Sequence, residues 1–449
     1  MGGRGIAIVA GVLLAGAPAI AAPDGGGDGA DGDGAWIEPI TRAALDVDVV
    51  HEAARPYSTP ARPRNVTGAI ALSCAYRAGR PCGNGDGAFG ELDAAAGVGP
   101  WLAAVVGLRV HTGRAAYTTG VEVDRAYVTA ALGPIAVAAG RDVLVLGPAV
   151  RTVPSWGTNA PPLDQLRVAT TRPLAIAPWL GVEAVYVVGR LADPQTYPGS
   201  LVSIARGQLD LGDRVQLGAT QLLELGGDGA PHLGPIDFVL EHVRRRDASA
   251  SASDSSNRRF GLDAALRLDA LGGARVVYQI MFEDLRAQPV SAIRFDADHA
   301  LSLTTRWATL EWRRTGQRSY EHAPRVTGFT SGGFIVGDPL GPAAQAVFAS
   351  APIAVATSVV TPWIELAQLD SDSFNFDPDG PIVRTARGPS EFRFRLGAQA
   401  RVPLSAQLEL APEAALEAVE RFAYRAGARR INTVLRASLI WRPRLRFGI

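Results

Sequence analysis

Apolar and polar residues alternate with a period of two along several long segments of the chain, and the clearest of these segments is the last one. Between residues 435 and 449, one face of an extended strand carries Leu435, Ala437, Leu439, Trp441, Pro443, Leu445, Phe447 and Ile449. The opposite face carries Arg436, Ser438, Arg442, Arg444 and Arg446. Because successive side chains of a strand point to opposite sides, this pattern predicts a strand with one apolar and one polar face.

Three other segments, 260–268, 274–284 and 391–404, show the same alternation. They are about ten residues long, whereas strands of soluble proteins usually have about five or six residues. A tilted strand needs about ten residues to cross the hydrocarbon core of a bilayer. A soluble β-sandwich also alternates, but the strand length and the aromatic residues Trp441 and Phe447 near the end of the chain favour a barrel.

We therefore predict an all-β fold, a transmembrane antiparallel β-barrel over residues 65–449 with roughly 16–18 strands. The regions rich in Gly, Pro, Ser and Asp are predicted loops, at 146–163, 225–235, 244–258, 318–352 and 369–390.

The first 64 residues give a different picture. Arg4, the short apolar stretch 6–17 and Ala19-Ile20-Ala21 predict a cleavable signal peptide over residues 1–21, and hence export. Residues 22–35, rich in Gly and Asp, are predicted to be a flexible linker. Residues 36–64 are predicted to form a short periplasmic or plug segment that contains a short helix.

The charge balance bears on the possible partners of the chain, and the two cysteines bear on the redox state of its compartment. The chain has 44 basic and 44 acidic residues, which gives no reason to expect a nucleic-acid partner. The only two cysteines, Cys74 and Cys82, are eight positions apart. In the oxidising environment that an exported chain reaches, this pair is predicted to form a disulfide.

Motifs that carry chemistry are largely absent. The six histidines are scattered, and no HExxH spacing or GxSxG nucleophile motif occurs. The sequence therefore predicts no catalytic residues, no metal site and no cofactor.

Three segments resemble a known family, in the order in which that family has them. They are AGRDVLVLGPAVRTVPSWGTNAPPLDQLRV (139–168), VVYQIMFEDLR (276–286) and SYEHAPRVTGFTSGGFIVGDPLGP (319–342). Together they resemble the capsule assembly Wzi family of outer-membrane proteins, over roughly residues 100–430. The chain departs from that family at Asp338, where members usually have His, and at Ala149, which stands in place of a second Gly.

The resemblance implies a barrel with an occluded lumen that is not an enzyme and that anchors exported capsular or related polysaccharide at the cell surface, like a lectin. Aromatic rings in loops can stack on sugar C–H groups, and guanidinium and amide groups can bind hydroxyls or carboxylates. The predicted polysaccharide-binding residues are Arg151, Trp156, Asn159, Tyr320, His322, Arg325, Phe329 and Phe334.

We expect a monomer in the outer membrane of a Gram-negative cell. Its expected partners are the polysaccharide, outer-membrane lipid and, during biogenesis, the barrel-assembly machinery. Two other classes remain open. A general or substrate-specific diffusion porin requires an open, charged lumen, against which the long Gly/Pro-rich loop 318–352 argues. An outer-membrane hydrolase requires a nucleophile and a base, which the sequence does not present at a recognisable spacing.

Overall fold

We analysed a computed structural model of the chain. It describes residues 34–51, 57–59, 62–66, 77, 85–113, 120–149, 151–231, 234–243, 256–283, 297–316, 319–320, 325, 327–370, 373–375, 383–385 and 388–448. The predicted signal peptide 1–21, all but the end of the linker 22–35, and the predicted disulfide Cys74–Cys82 lie outside the described residues.

The structure is a closed antiparallel barrel of eighteen strands, which confirms the predicted fold class and strand number. Each strand pairs with its neighbours in the chain, and the first strand pairs with the last. The first nine are β1 (Ala35–His51), β2 (Gly85–Val98), β3 (Leu102–Gly113), β4 (Gly120–Leu132), β5 (Ile135–Asp142), β6 (Leu163–Thr170), β7 (Leu180–Arg190), β8 (Leu201–Leu211) and β9 (Val215–Leu225). The others are β10 (Asn257–Leu268), β11 (Ala274–Glu283), β12 (Ala297–Thr304), β13 (Thr309–Arg314), β14 (Ala344–Ser350), β15 (Ser358–Leu369), β16 (Glu391–Pro403), β17 (Leu408–Glu420) and β18 (Arg429–Trp441).

The remaining elements are short. Three pieces extend β6, β14 and β18 along the same neighbours: Leu174–Ala177, Ile353–Val355 and Phe447–Gly448. Three small hairpins pair Tyr57–Thr59 with Arg62–Val66, Thr330–Ser331 with Phe334–Ile335, and Ser373–Asn375 with Val383–Thr385. The helices are α1 (Pro235–Val243) and the single 3₁₀ turns Asp269–Leu271 and Phe422–Tyr424. Within the described part of the chain, no helix is long and apolar enough to cross a membrane.

The prediction for residues 36–64 is wrong over its first part. Residues 36–51 belong to β1, a full barrel strand that pairs with both β2 and β18, and they form neither a helix nor a plug. The physical reason is an alternation of period two: Leu45 and Val47 are exposed on the outer wall, whereas Asp46 and Asp48 are buried in the lumen.

The two faces of the strands meet different surroundings, as the alternation predicts. Phe392, Phe394 and Leu396 lie on the outside of β16, whereas Arg393 and Arg395 are buried inside the barrel. Three tryptophans, Trp101, Trp179 and Trp307, lie exposed in short turns at one end. An apolar outer band bordered by aromatic residues is typical of a barrel in a lipid bilayer.

The two ends of the barrel differ. At one end, which we call the turn end, the strands are joined by short turns such as 99–101, 133–134 and 178–179. At the other, the loop end, the connections are longer, including 143–162, 191–200, 226–256 and 315–343. The loop end therefore provides nearly all the chain that is available to fill or cover the lumen.

The face assignment predicts a difference between two substitutions on β18. Leu435 is exposed on the outer wall halfway along this strand, so Leu435→Arg should cost about 2–4 kcal/mol of insertion free energy. Ser438 faces the lumen opposite Asp46, so Ser438→Arg should be tolerated. Assembly is measured as the fraction of protein that migrates faster on gels without boiling. Equal assembly of the two variants would contradict the assignment of the faces.

Candidate functional site

Two loops from the loop end fold back into the barrel and pack against each other. We call the described residues of the loops 143–162 and 315–343 the plug. Their buried apolar residues share one core with the inner wall, and that core includes Leu146, Trp156, Tyr320, Phe329, Ile335, Val336, Val187, Ile204 and Leu222. The hydrophobic core of this protein therefore lies inside the lumen, where it joins the two plug loops to strands β7, β8 and β9.

The first plug loop reaches far along the lumen. Near its tip, Ala149 and Val153 pack against Ala265 and Val277 on β10 and β11. These two wall residues lie close to the short turn 269–273 at the turn end. The plug therefore extends along most of the barrel and does not merely cap it.

Hydrogen bonds and close packing hold the two plug loops together. The Asn159 side-chain amide donates to the carbonyl oxygen of Ile335 (2.8 Å), and the Gly157 backbone N–H donates to that of Val336 (2.8 Å). A Cβ atom on Gly337 would lie 2.3 Å from the Tyr320 hydroxyl oxygen, so only glycine fits there. These contacts join the family-like segments 139–168 and 319–342 in space.

Tyr320 links the plug to the wall. It has a positive φ of 65°, and its hydroxyl donates to the carbonyl oxygen of Pro154 (3.1 Å) and accepts from the Asp338 N–H (2.8 Å). Its ring lies under the Arg259 guanidinium, 4.1 Å from the ring centre. Burial raises the pKa of Tyr320 well above its usual value, so the phenol remains a proton donor.

A network of ion pairs anchors the tip of the plug to the lumen wall. Glu365 accepts hydrogen bonds from Arg151 (2.6 Å), Arg313 (2.9 Å) and Arg395 (2.8 Å). Arg395, on β16, also pairs with Glu417 on the adjacent strand β17. Buried charges are costly unless they are paired and hydrogen-bonded, and here each carboxylate has several partners.

Asp338, in the second plug loop, is a buried acid. Its carboxylate forms an ion pair with Arg313 (Nε to Oδ2, 3.0 Å) and accepts a hydrogen bond from the Leu340 N–H (2.9 Å). Burial nevertheless raises the pKa of Asp338 to about 6, because loss of hydration outweighs these two favourable contacts. This acid therefore titrates closer to neutral pH than an ordinary aspartate.

Arg325 holds the second plug loop to strand β9 and its following turn. It donates to Glu224 (3.1 Å), to the Ser200 hydroxyl (2.9 Å) and to the carbonyl oxygen of Gly226 (2.9 Å). Its guanidinium also lies over the ring of Tyr197, 4.9 Å from the centre. Arg325 has no exposed surface, so it stabilises the fold of this region.

The structure brings most of the predicted binding residues together, but inside the plug and not on its surface. Trp156, Asn159, Tyr320, Arg325 and Phe329 are each at most 2% exposed. The expectation that these five side chains contact sugars is therefore at odds with their burial. The physical reason is that aromatic residues in a loop that folds inward serve as core, which the sequence pattern does not distinguish from an exposed binding surface.

The other three predicted residues have different positions. Arg151 is partly exposed, but deep in the barrel, where it pairs with Glu365 and lies over the ring of Phe348. Phe334 is partly exposed in the small hairpin at the top of the plug. His322 lies outside the described residues.

The loop 191–200, for which the sequence predicts no binding role, lies beside the plug at the loop end. The loop 191–200 is bound to the plug by Gln195, which donates to the Thr330 carbonyl oxygen (2.8 Å), and by Thr196, whose N–H donates to the Thr327 hydroxyl (3.0 Å). Tyr197, in the same loop, is partly exposed. The sequence around it has turn-forming prolines but no motif, so only the fold reveals its position beside the plug.

No grouping of three or more His, Cys, Asp or Glu side chains in the described ranges is arranged to hold a metal ion.

The closed barrel and the plug in its lumen place this protein among the transmembrane β-barrels whose lumen is occupied by their own loops. Within that class, the chain belongs to the capsule assembly protein Wzi family, whose sequence profile matches residues 73–433. This confirms the resemblance that the three sequence segments indicated.

Among solved structures, the chain has a fold similar to that of Wzi of Escherichia coli, described as an outer membrane protein involved in group 1 capsule assembly and as a carbohydrate-binding β-barrel. The TM-score is 0.62 at 13% identity, over 90% of this chain and 85% of that one. Another match is OccD3 (OpdP) of Pseudomonas aeruginosa, with a TM-score of 0.48 at 10% identity over 92% and 93% of the two chains. No curated protein matches the sequence.

The buried position of Trp156 predicts that Trp156→Ala will loosen the plug. Truncation of a fully buried tryptophan typically costs about 3–5 kcal/mol, and here the loss falls on plug packing while the strand pairing remains. The variant should still form a heat-modifiable barrel but should show ion conductance in planar bilayers. Trp179→Ala, an exposed tryptophan at the turn end, is the matched control and should behave like the unmodified protein. A closed Trp156→Ala barrel would contradict the role of this side chain.

The position of Asp338 predicts that the plug is less stable at neutral than at acidic pH. A folded-state pKa of about 6, above the usual value of 3.8, favours the protonated folded state. This contribution is fully present below about pH 4 and is lost as the pH rises through about 6. Hydrogen exchange of residues 335–343, corrected for its intrinsic pH dependence, measures the effect. Asp338→Asn should flatten the pH profile, and an unchanged profile would contradict the assignment.

Proposed function

We propose that this protein is a non-catalytic barrel of the Gram-negative outer membrane that anchors exported capsular or related polysaccharide at the cell surface. The main support for the proposal is that the plug fills the lumen of a chain that belongs to the capsule assembly family. A lumen with its own hydrophobic core is suited to presenting a surface and not to passing solutes. The similar fold of the carbohydrate-binding Wzi of Escherichia coli supports the same assignment.

The orientation follows from the two ends of the barrel. Bacterial outer-membrane barrels have short turns on the periplasmic side and longer loops outside the cell. We therefore assign the loop end to the cell exterior. The plug and the loop 191–200 then form the outer surface, and the tryptophans of the turn end lie at the periplasmic interface.

The sugar-contacting surface is best supported around Phe334 and Tyr197. Both aromatic side chains are partly exposed, and they belong to neighbouring segments joined by the hydrogen bonds between Thr196 and Thr327. Aromatic rings and nearby hydroxyl groups suit a polymer that offers C–H faces and hydroxyls. The five buried residues predicted from the sequence support this surface from below.

Retention of the polymer relies on many weak contacts. A partly exposed aromatic platform binds a single sugar weakly because water competes for every hydroxyl. A long polymer that engages many proteins in one membrane gains avidity from effective concentration, without any tight site. We therefore expect weak binding of short oligosaccharides and strong retention of the polymer by protein-dense membranes. The monomeric state, the cleaved signal peptide, the contact with lipid and the use of the barrel-assembly machinery belong to the same proposal.

A direct test is the double substitution Phe334→Ala with Tyr197→Ala. Cells that make this variant should release polysaccharide into the medium, while barrel assembly and total polysaccharide synthesis are unchanged. The control Trp179→Ala removes a more exposed aromatic ring at the turn end and should leave the coat intact.

Two outcomes separate the alternatives. If the double variant keeps its polysaccharide but deletion of the protein releases it, the anchoring role holds and the binding surface lies elsewhere. If the deletion strain keeps an intact coat, the anchoring function is wrong. A large conductance of the unmodified protein in planar bilayers would instead support a diffusion porin.

A further inference from the structure

Helix α1 packs on the outer wall of the barrel. Near its C-terminal end, the His242 ring nitrogen Nε2 lies 2.7 Å from the Ser203 hydroxyl oxygen, and the carbonyl oxygen of His242 accepts from the Gln221 amide (3.1 Å). Leu223, whose side chain points outward on β9, is fully buried, as is Ser203 on β8. Outward residues of the same strands that lie further from the helix, such as Leu217, are exposed. The helix therefore covers one patch of the wall at the loop end.

The free face of this helix is apolar. Ile236, Val239 and Leu240 are 75%, 64% and 48% exposed and lie at helical spacing on one side. These residues extend the apolar outer wall towards the loop end, beyond the outward aromatic residues Tyr186 and Phe260. A helix in this position, with an apolar free face, is typical of the boundary between headgroups and acyl chains.

Directly beside the helix, towards the turn end, the outer wall has a groove of about 540 Å³. Its floor consists of Ala184, Gly207 and Ala219, which are direct neighbours on β7, β8 and β9. Tyr186 and Phe260 border the groove with large side chains, so the depression results from small residues among large ones.

The polar groups at the groove already have partners within the protein. The Thr170 hydroxyl accepts from the Ala184 N–H (3.2 Å), and the Tyr186 hydroxyl accepts from Ser203 (3.0 Å). The Gln221 amide donates to helix α1. Because these polar groups are used internally, the groove favours an apolar occupant.

We propose that this groove binds one acyl chain of a lipid from the leaflet at the loop end, with helix α1 at the level of that lipid's headgroup. The groove is continuous with the lipid-facing outer wall. Val239 and Leu240, on the exposed face of the adjacent helix α1, are apolar as well. A chain seated in it contacts three strands at once and fills a depression that disordered lipid fills poorly. The site lies outside the barrel and is separate from the polysaccharide surface at the top of the plug.

Substitution of a glycine in the floor of the groove tests the proposed acyl-chain site directly. A Cβ atom built on Gly207 meets nothing within 4 Å, so Gly207→Leu can fill the groove without disturbing the wall. Gly90 on β2 is a matched control, because its Cβ would also meet nothing within 4 Å and its paired neighbours Leu45 and Val110 are exposed on the outer wall. Ala219→Leu is a second filling variant, in case Gly207→Leu assembles poorly.

The measurement is native mass spectrometry of the detergent-purified full chain, titrated with palmitoyl-oleoyl-phosphatidylglycerol. The unmodified protein and Gly90→Leu should retain one tightly bound lipid. Gly207→Leu or Ala219→Leu should bind it at least about tenfold more weakly, the loss expected when about two methylene contacts are displaced. Equal retention by an assembled filling variant and the control would overturn the proposal. A dimer that filling of the groove abolishes would also overturn it, since the occupant would then be a second copy of the chain.

Discussion

Every backbone N–H and C=O group in a bilayer needs a partner, and in this protein the pairing of β1 with β18 makes that possible. The register sets Leu45 opposite Leu439 and Val49 opposite Leu435, so that the sheet has no open edge at this seam. The same register brings Asp48 and Arg436 together inside the lumen (2.9 Å). Closure therefore fixes which side chains face lipid and which face the interior.

The interior created by closure is too wide to be filled by the wall's own side chains, and the plug fills it. The lumen wall carries a belt of ion pairs around Glu365 and Glu417, whereas the plug contributes an apolar core around Trp156 and Phe329. The two meet at Tyr320, whose ring lies under the Arg259 guanidinium of the wall, and at Asp338, which pairs with Arg313 of the wall. A filled lumen suits a protein that displays a surface at the loop end.

Much of the architecture could be predicted from the chain. Strict alternation predicts the faces of 391–404 and of 435–441, because one face of a membrane strand must be apolar, whereas the regular strand ends at Trp441 and the predicted faces do not hold for 442–446. The alternation at Leu45–Val49 in β1 is just as clear, so the strand there can also be predicted from the sequence. The binding residues were harder to predict. Trp156 and Phe329 are aromatic residues in Gly/Pro-rich loops, and nothing local tells a loop that folds inward from one that faces outward. Tyr197 lies in an ordinary turn whose importance comes only from tertiary contacts.

The seam also bears on how the chain reaches its final state. Asp48 and Arg436 are 388 positions apart in sequence, so bringing them together early would cost more loop-closure entropy than any contact between strands that are neighbours in the chain. That cost falls as hairpins between neighbouring strands form and shorten the effective separation of the two ends. We therefore expect the pairing of β1 with β18 to be a late step of assembly. Until it occurs, the sheet is open, and the plug loops, tethered at both ends to central strands, can collapse onto the inner face of that sheet without threading through a closed ring.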